Sequence, residues 1–80
     1  MPHVKVAYGD PLTDRELQVL ARVAEGLKDS RIGTDLGLTP ATIATYRKRV
    51  RIKLGAKCAA HAVALGFIRG HLPIPRGGVS

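Results

Sequence analysis

The chain has 80 residues, one cysteine and no tryptophan. That length supports a single small domain near the lower limit for a self-sufficient core, and one thiol excludes an internal disulfide. No apolar run approaches the roughly 20 residues that cross a bilayer, and residues 1–11 lack the apolar core of a signal peptide, so a cytoplasmic protein without membrane contact is expected.

The formal net charge is +7, and it is unevenly spread. Residues 1–35 hold all six acids (Asp10, Asp14, Glu16, Glu25, Asp29 and Asp35) against five bases. Residues 36–80 hold eight bases and no acid, and six of those bases lie between 47 and 57. A block of one sign favours a polyanionic partner over a merely solvated face. Aromatic side chains are limited to Tyr8, Tyr46 and Phe67, so the core must be aliphatic, which favours packed helices over a sheet.

Residues 1–11 read as an N-terminal arm, in which alternation of Val4, Val6 and Tyr8 allows a short strand ended by Pro11. Residues 12–70 read as the domain and residues 71–80 as a tail that Pro73 and Pro75 keep extended. The first helix starts at Thr13, with Glu16 completing a capping box and Leu12 and Leu17 placed as a hydrophobic staple. Leu17, Leu20, Ala21, Ala24 and Leu27 form its expected apolar face, and Gly26 its stop. The second helix spans about Asp29–Leu36, with Ile32 and Leu36 inward and Gly33 allowing another helix to approach. Gly37 breaks it, and Leu38 plugs the turn.

The third helix is expected over residues 39–54, with Thr39 as N-cap and Pro40 in the first turn. Ile43, Val50 and Leu54 share one side of it, with Tyr46 and Arg47 at the margin; Ala41, Thr45, Lys48 and Ile52 share the other. The fourth helix, about Cys58–Arg69, is apolar nearly all round, so one side needs a cover beyond the domain's own core. The fold class is therefore all-α, a small four-helix domain.

Two helices joined by a short turn holding a glycine form a helix-turn-helix. In that motif the second helix lies in the major groove, and here the second helix is the basic one. The sequence at this point resembles the LuxR-type (GerE-type) helix-turn-helix domain of bacterial transcription regulators. The resemblance runs through Leu12-Thr13-Asp14-Arg15-Glu16, Val19-Leu20 and Ala24-Glu25-Gly26-Leu27. It continues through Ile32, Leu36-Gly37-Leu38-Thr39, Thr42-Ile43, Val50, Lys53-Leu54-Gly55, Ala60 and Ala62-Val63.

The resemblance implies sequence-specific binding of double-stranded DNA and a homodimer formed through the fourth helix. It puts Ala44, Thr45 and Lys48 at base edges, and Thr42 and Lys53 at phosphates. It also suggests that Glu16 pairs with a base on the third helix. The chain departs from the family in carrying Ala44 for lysine, Tyr46 for histidine and Ala59 for arginine. Chemistry supports the base-edge set: Lys48 can reach guanine O6 or N7, and the methyls of Ala44 and Thr45 can meet a thymine methyl. Thr39, at a helix N-terminus, and Arg49, Arg51 and Lys57 are further expected phosphate contacts. Cys58, His61, Ala62 and Leu65 share the side of the fourth helix expected to form the two-fold interface, with Val63, Gly66 and Phe67 inward.

The function expected is that of a small stand-alone transcription regulator, since 80 residues leave no room for a receiver or ligand-binding domain. The alternative is an interaction module docking on RNA polymerase or another regulator, and a third reading is a small RNA-binding protein. Cys58, His61 and His71 lack the fourth ligand and the spacing of a zinc site. No nucleophile–base pair or paired carboxylates stand out, so neither an enzyme nor a cofactor is expected.

Overall fold

The computed structural model describes residues 5–73. Four α-helices follow in order: α1 (Asp14–Ala24), α2 (Asp29–Leu36), α3 (Pro40–Leu54) and α4 (Ala59–Ile68). No strand occurs among the described residues. The strand expected in the arm is replaced, over residues 7–10, by a turn closed by Asp10, whose amide N–H donates to the Ala7 carbonyl and whose carboxylate accepts from the Ala7 N–H. Val4 and residues 74–80 of the expected tail lie outside the described residues.

The ends of the helices follow from their capping residues. Thr13 and Glu16 form the full capping box: Thr13 Oγ1 accepts from the Glu16 N–H at 3.2 Å, and Glu16 Oε1 accepts from the Thr13 N–H at 2.9 Å. Thr39 caps α3 by accepting from the Thr42 N–H at 3.2 Å, and Pro40 needs no partner in the first turn.

Helix α3 is the central element. It packs on α1 and α2 at its N-terminal part and on α1 and α4 further on, and α1 also meets α4. The core accordingly has two clusters. Val19, Ile32 and Ile43, all fully buried, join α1, α2 and α3. Leu20, Val50, Leu54, Ala62 and Leu72 join α1, α3, α4 and the segment after α4.

Three expectations are corrected here. The inward face of α1 is centred on Glu16, Val19 and Leu20, with Val23 beside them, whereas Leu17 is only half-buried and Ala24 is exposed. The face is rotated because Glu16 must point inward to reach Lys53. Gly33 does allow a close approach, but of the following turn rather than of another helix: a Cβ there would collide with the Leu38 carbonyl oxygen. The Leu38 N–H donates to the Gly33 carbonyl at 2.8 Å, so the turn folds tightly back on α2. Leu72, assigned to the extended tail, is instead 6 % exposed. The amides of His71 and Leu72 both donate to the Gly66 carbonyl, which turns the chain back and seats Leu72 against Gly66.

The arm is held at the far end of α3. The Gly9 N–H donates to the Lys53 carbonyl at 2.9 Å. The Tyr8 ring lies over Gly55, whose left-handed φ of 70° favours glycine and whose bare backbone lets the ring come close. Arg69 closes the cluster: its guanidinium donates to the Leu54 carbonyl at 2.9 Å and stands 6.0 Å from the Tyr8 ring centroid.

Candidate nucleic-acid interface

A surface that reads DNA needs a helix face free of intramolecular obligations, with cations that have no carboxylate of their own. The α2–turn–α3 unit supplies the helix. α2 ends at Gly37 in the left-handed conformation, Leu38 turns inward, and Thr39 starts α3. The inward side of α3 is occupied by Ile43, Val50 and Leu54. Its opposite side presents Ala41, Ala44, Thr45, Lys48, Arg51 and Ile52, all exposed. Ala44, Thr45 and Lys48 therefore lie together on the outer face. The Thr45 hydroxyl donates to the Ala41 carbonyl at 3.2 Å, which fixes its rotamer and leaves the oxygen as an acceptor.

The cations of α3 divide into two groups. Arg47 and Lys53 are held by acids. Arg47 Nη2 donates to Asp29 Oδ2 at 2.7 Å and ties the centre of α3 to the start of α2. Lys53 Nζ donates to Glu16 Oε1 at 2.6 Å and to the Pro11 carbonyl at 3.0 Å. Lys53 is 7 % exposed and Glu16 1 %. This corrects the expectation that Lys53 contacts a phosphate: its ammonium is turned into the α1–α3 interface, and its donors serve Glu16 and Pro11. The pair is the one the resemblance suggested for Glu16, and Lys53 is its partner.

The second group comprises Lys48, Arg49, Arg51 and Lys57, which form no ion pair among the described residues. Lys48, Arg51 and Lys57 are exposed. Arg49 is half-buried, with its guanidinium 6.0 Å from the Tyr46 ring centroid, so it stands at the flank rather than the centre of the face. Thr42, half-buried and seven residues before Arg49, shares that flank; Ala44 and Arg51, likewise seven apart, share the other. Thr39 is exposed at the N-terminus of α3, its Oγ1 3.0 Å from that of Thr42.

Helix α4 turns Gly66 inward with Val63 and Phe67 packed beside it, as expected, but departs from expectation at Ala62. Ala62 is 4 % exposed and packs in the cluster with Leu20, Val50 and Leu54, so it faces the domain's own core and cannot line an interface. Gly66 is buried beside it, because its bare backbone admits the side chains of Leu20 and Leu72. Val63, Leu65 and Phe67 flank this seam, half-buried. The outward side presents Cys58, Ala60, Ala64 and Ile68, with His61 half-buried and Ile68 78 % exposed. His61 Nδ1 accepts from the Lys57 N–H at 3.1 Å and closes the turn before α4, where Cys58 gives no side-chain cap.

Sequence reasoning missed the Arg47–Asp29 pair and the Tyr8–Gly55–Arg69 cluster. Both join distant positions, and periodicity within one helix carries no signal for either.

The profile of the family described as "Bacterial regulatory proteins, luxR family" matches residues 10–65. Among characterised proteins, the chain is 43% identical over 54 residues to the transcriptional regulatory protein UhpA of Escherichia coli, covering 65% of this chain and 28% of that protein. It is 37% identical over 62 residues to the transcriptional regulatory protein FixJ of Rhizobium meliloti, covering 78% of this chain and 30% of that one. It is 36% identical over 63 residues to the transcriptional regulatory protein YdfI of Bacillus subtilis, covering 79% and 30% respectively. The chain thus spans under a third of the length of these relatives.

Proposed function

Because the chain belongs to the luxR family of bacterial regulatory proteins, we propose that it takes part in transcription control by laying α3 in the major groove of duplex DNA. The observation that carries the reading is the division of cations on α3. Arg47 and Lys53 are bound by acids, while Lys48 and Arg51 share an outer face with no carboxylate partner among the described residues. In this reading Lys48 donates to guanine, and Thr45 and Ala44 offer small side chains to neighbouring base edges. Thr39, Thr42, Arg49, Arg51 and Lys57 hold the phosphates that fix register. Lys53 acts through the fold alone.

The apolar side that α4 leaves open supports a second part of this reading, a homodimer. With Ala62 turned inward, the interface consists of Cys58, His61 and Leu65 together with Ala64 and Ile68, which recur along one side of the helix. Two copies joined there would present two α3 helices to half-sites about 10 base pairs apart.

Fluorescence anisotropy with labelled duplex DNA at a series of salt concentrations tests the reading. Three phosphate-binding cations per protomer (Arg49, Arg51 and Lys57) predict a slope of log affinity against log salt of roughly −3 per protomer. Duplex DNA should be preferred over structured RNA at equal salt. Equal affinity for both nucleic acids, or binding indifferent to salt, would overturn it.

A further inference from the structure

A groove of about 300 Å³ opens between α1, α3 and the start of α4. Its floor is the domain core, formed by residues such as Val19 and Ala62. It is open because the side chains at its walls are short: Ala44 on α3, and Cys58 and Ala59 at the start of α4. Its rim is cationic, with Arg47, Lys48, Arg51 and Lys57 all lining it and no acid among the lining residues. Arg47 is already held by Asp29 through one terminal nitrogen, so the cations of the rim without an acidic partner among the described residues are Lys48, Arg51 and Lys57.

We propose that this groove binds a small amphipathic carboxylate and that such a ligand competes with DNA. The volume lies at the lower end of the range for small-molecule sites. Apolar walls of Ala44, Ala59 and Val23 suit a short hydrocarbon chain, and the cationic rim suits one anionic head group. The groove shares Ala44, Lys48 and Arg51 with the outer face of α3, so occupant and duplex claim the same side chains. Binding at either site must then weaken the other by the same factor. This competition rests on the proposed DNA reading; the binding itself does not.

The test is a titration of the ¹⁵N-labelled chain with octanoate, followed by amide shifts in the absence of DNA. Saturable shifts at Val23, Ala44 and Ala59 are expected. Octanol lacks the charge, and acetate and inorganic phosphate lack the chain, so none of the three should produce them. Ala59→Leu, which fills the groove, should weaken octanoate by roughly tenfold or more, since a few methylenes change recognition in an apolar pocket by that much. Ala44→Leu, at an exposed position that does not endanger the fold, should do the same, and the spectrum itself reports whether each variant is folded. Octanoate should then raise the apparent Kd for duplex DNA several-fold in the wild type and not in Ala59→Leu, with acetate matching ionic strength. Absence of saturable shifts, equal shifts with octanol, or equal shifts with phosphate would overturn the site. Saturable octanoate binding that leaves DNA affinity unchanged would overturn the competition. Failure of the chain to bind DNA at all would count against the proposed function and leave the titration result standing.

Discussion

Lys48 and Lys53 lie five residues apart on α3 and have opposite environments. Lys48 is exposed on the outer face with no acidic partner among the described residues; Lys53 is buried and bonded to Glu16 and to the Pro11 carbonyl. Their alanine variants should separate accordingly. Lys48→Ala should leave the melting temperature nearly unchanged, cost about 1–3 kcal/mol on the preferred DNA site and relax base choice there. Arg51→Ala should weaken all duplexes alike and lower the salt slope by about one. Lys53→Ala should leave Glu16 buried without its counter-charge and destabilise the fold by about 3–5 kcal/mol, as read by urea denaturation. Replacing both members of the pair, as in Glu16→Leu with Lys53→Met, should recover much of that loss, because an apolar pair of similar volume avoids the desolvation of two ions. A Lys53→Ala variant as stable as the wild type but deficient in DNA binding would restore Lys53 to the phosphate contacts.

Gly33 and Thr39 govern the helix-turn-helix at the level of elements. Alanine in place of glycine inside a helix ordinarily stabilises it by about 1 kcal/mol. Here the added methyl would meet the Leu38 carbonyl, backbone that cannot move without displacing the turn. Gly33→Ala should therefore destabilise, by about 1–3 kcal/mol, as overpacking does elsewhere. Thr39→Ala removes the cap of α3 and should cost about 1 kcal/mol. The element boundaries were legible in the sequence because local chemistry sets them: the Thr13–Glu16 box, Pro40 after Thr39, and the glycines after α2 and α3 each act within a few residues. The outer face of α3 was legible for the same reason, since helical spacing alone places Ala44, Thr45 and Lys48 together. The orientation of α1 and α4 was not. It depends on what lies opposite: Lys53 draws Glu16 inward, and bare Gly66 lets Leu72 and Leu20 close over α4 and carry Ala62 into the core. No signal within a single helix distinguishes a lysine that faces phosphate from one that faces a carboxylate 37 residues earlier.

At the scale of the molecule, the two core clusters hold α3 from behind and leave its outer face clear. α2 seats its N-terminal half through Ile32 and Ile43, and α4 seats its C-terminal half through Ala62, Val50 and Leu54. Residues 1–35 carry all six acids and use four of them, Asp10 in the arm, Glu16 in α1, and Asp29 and Asp35 in α2, in internal contacts. The excess of cations is thereby concentrated on α3 and the start of α4. The open side of α4 bears on assembly. Ile68→Asp, which places a charge in the proposed interface but outside the core, should shift sedimentation toward monomer and weaken binding to paired half-sites, while a single half-site is bound as before. The most direct test of the central claim, that the outer face of α3 reads duplex DNA, is selection from a random-sequence duplex library at several salt concentrations, run in parallel with the wild type and Lys48→Ala. The account predicts salt-sensitive retention, an enriched pseudo-palindrome with half-sites about one helical turn apart, and loss of preference at one position of each half-site in the variant. Salt-sensitive retention with no enriched sequence, or the same enriched sequence with Lys48 replaced, would contradict it.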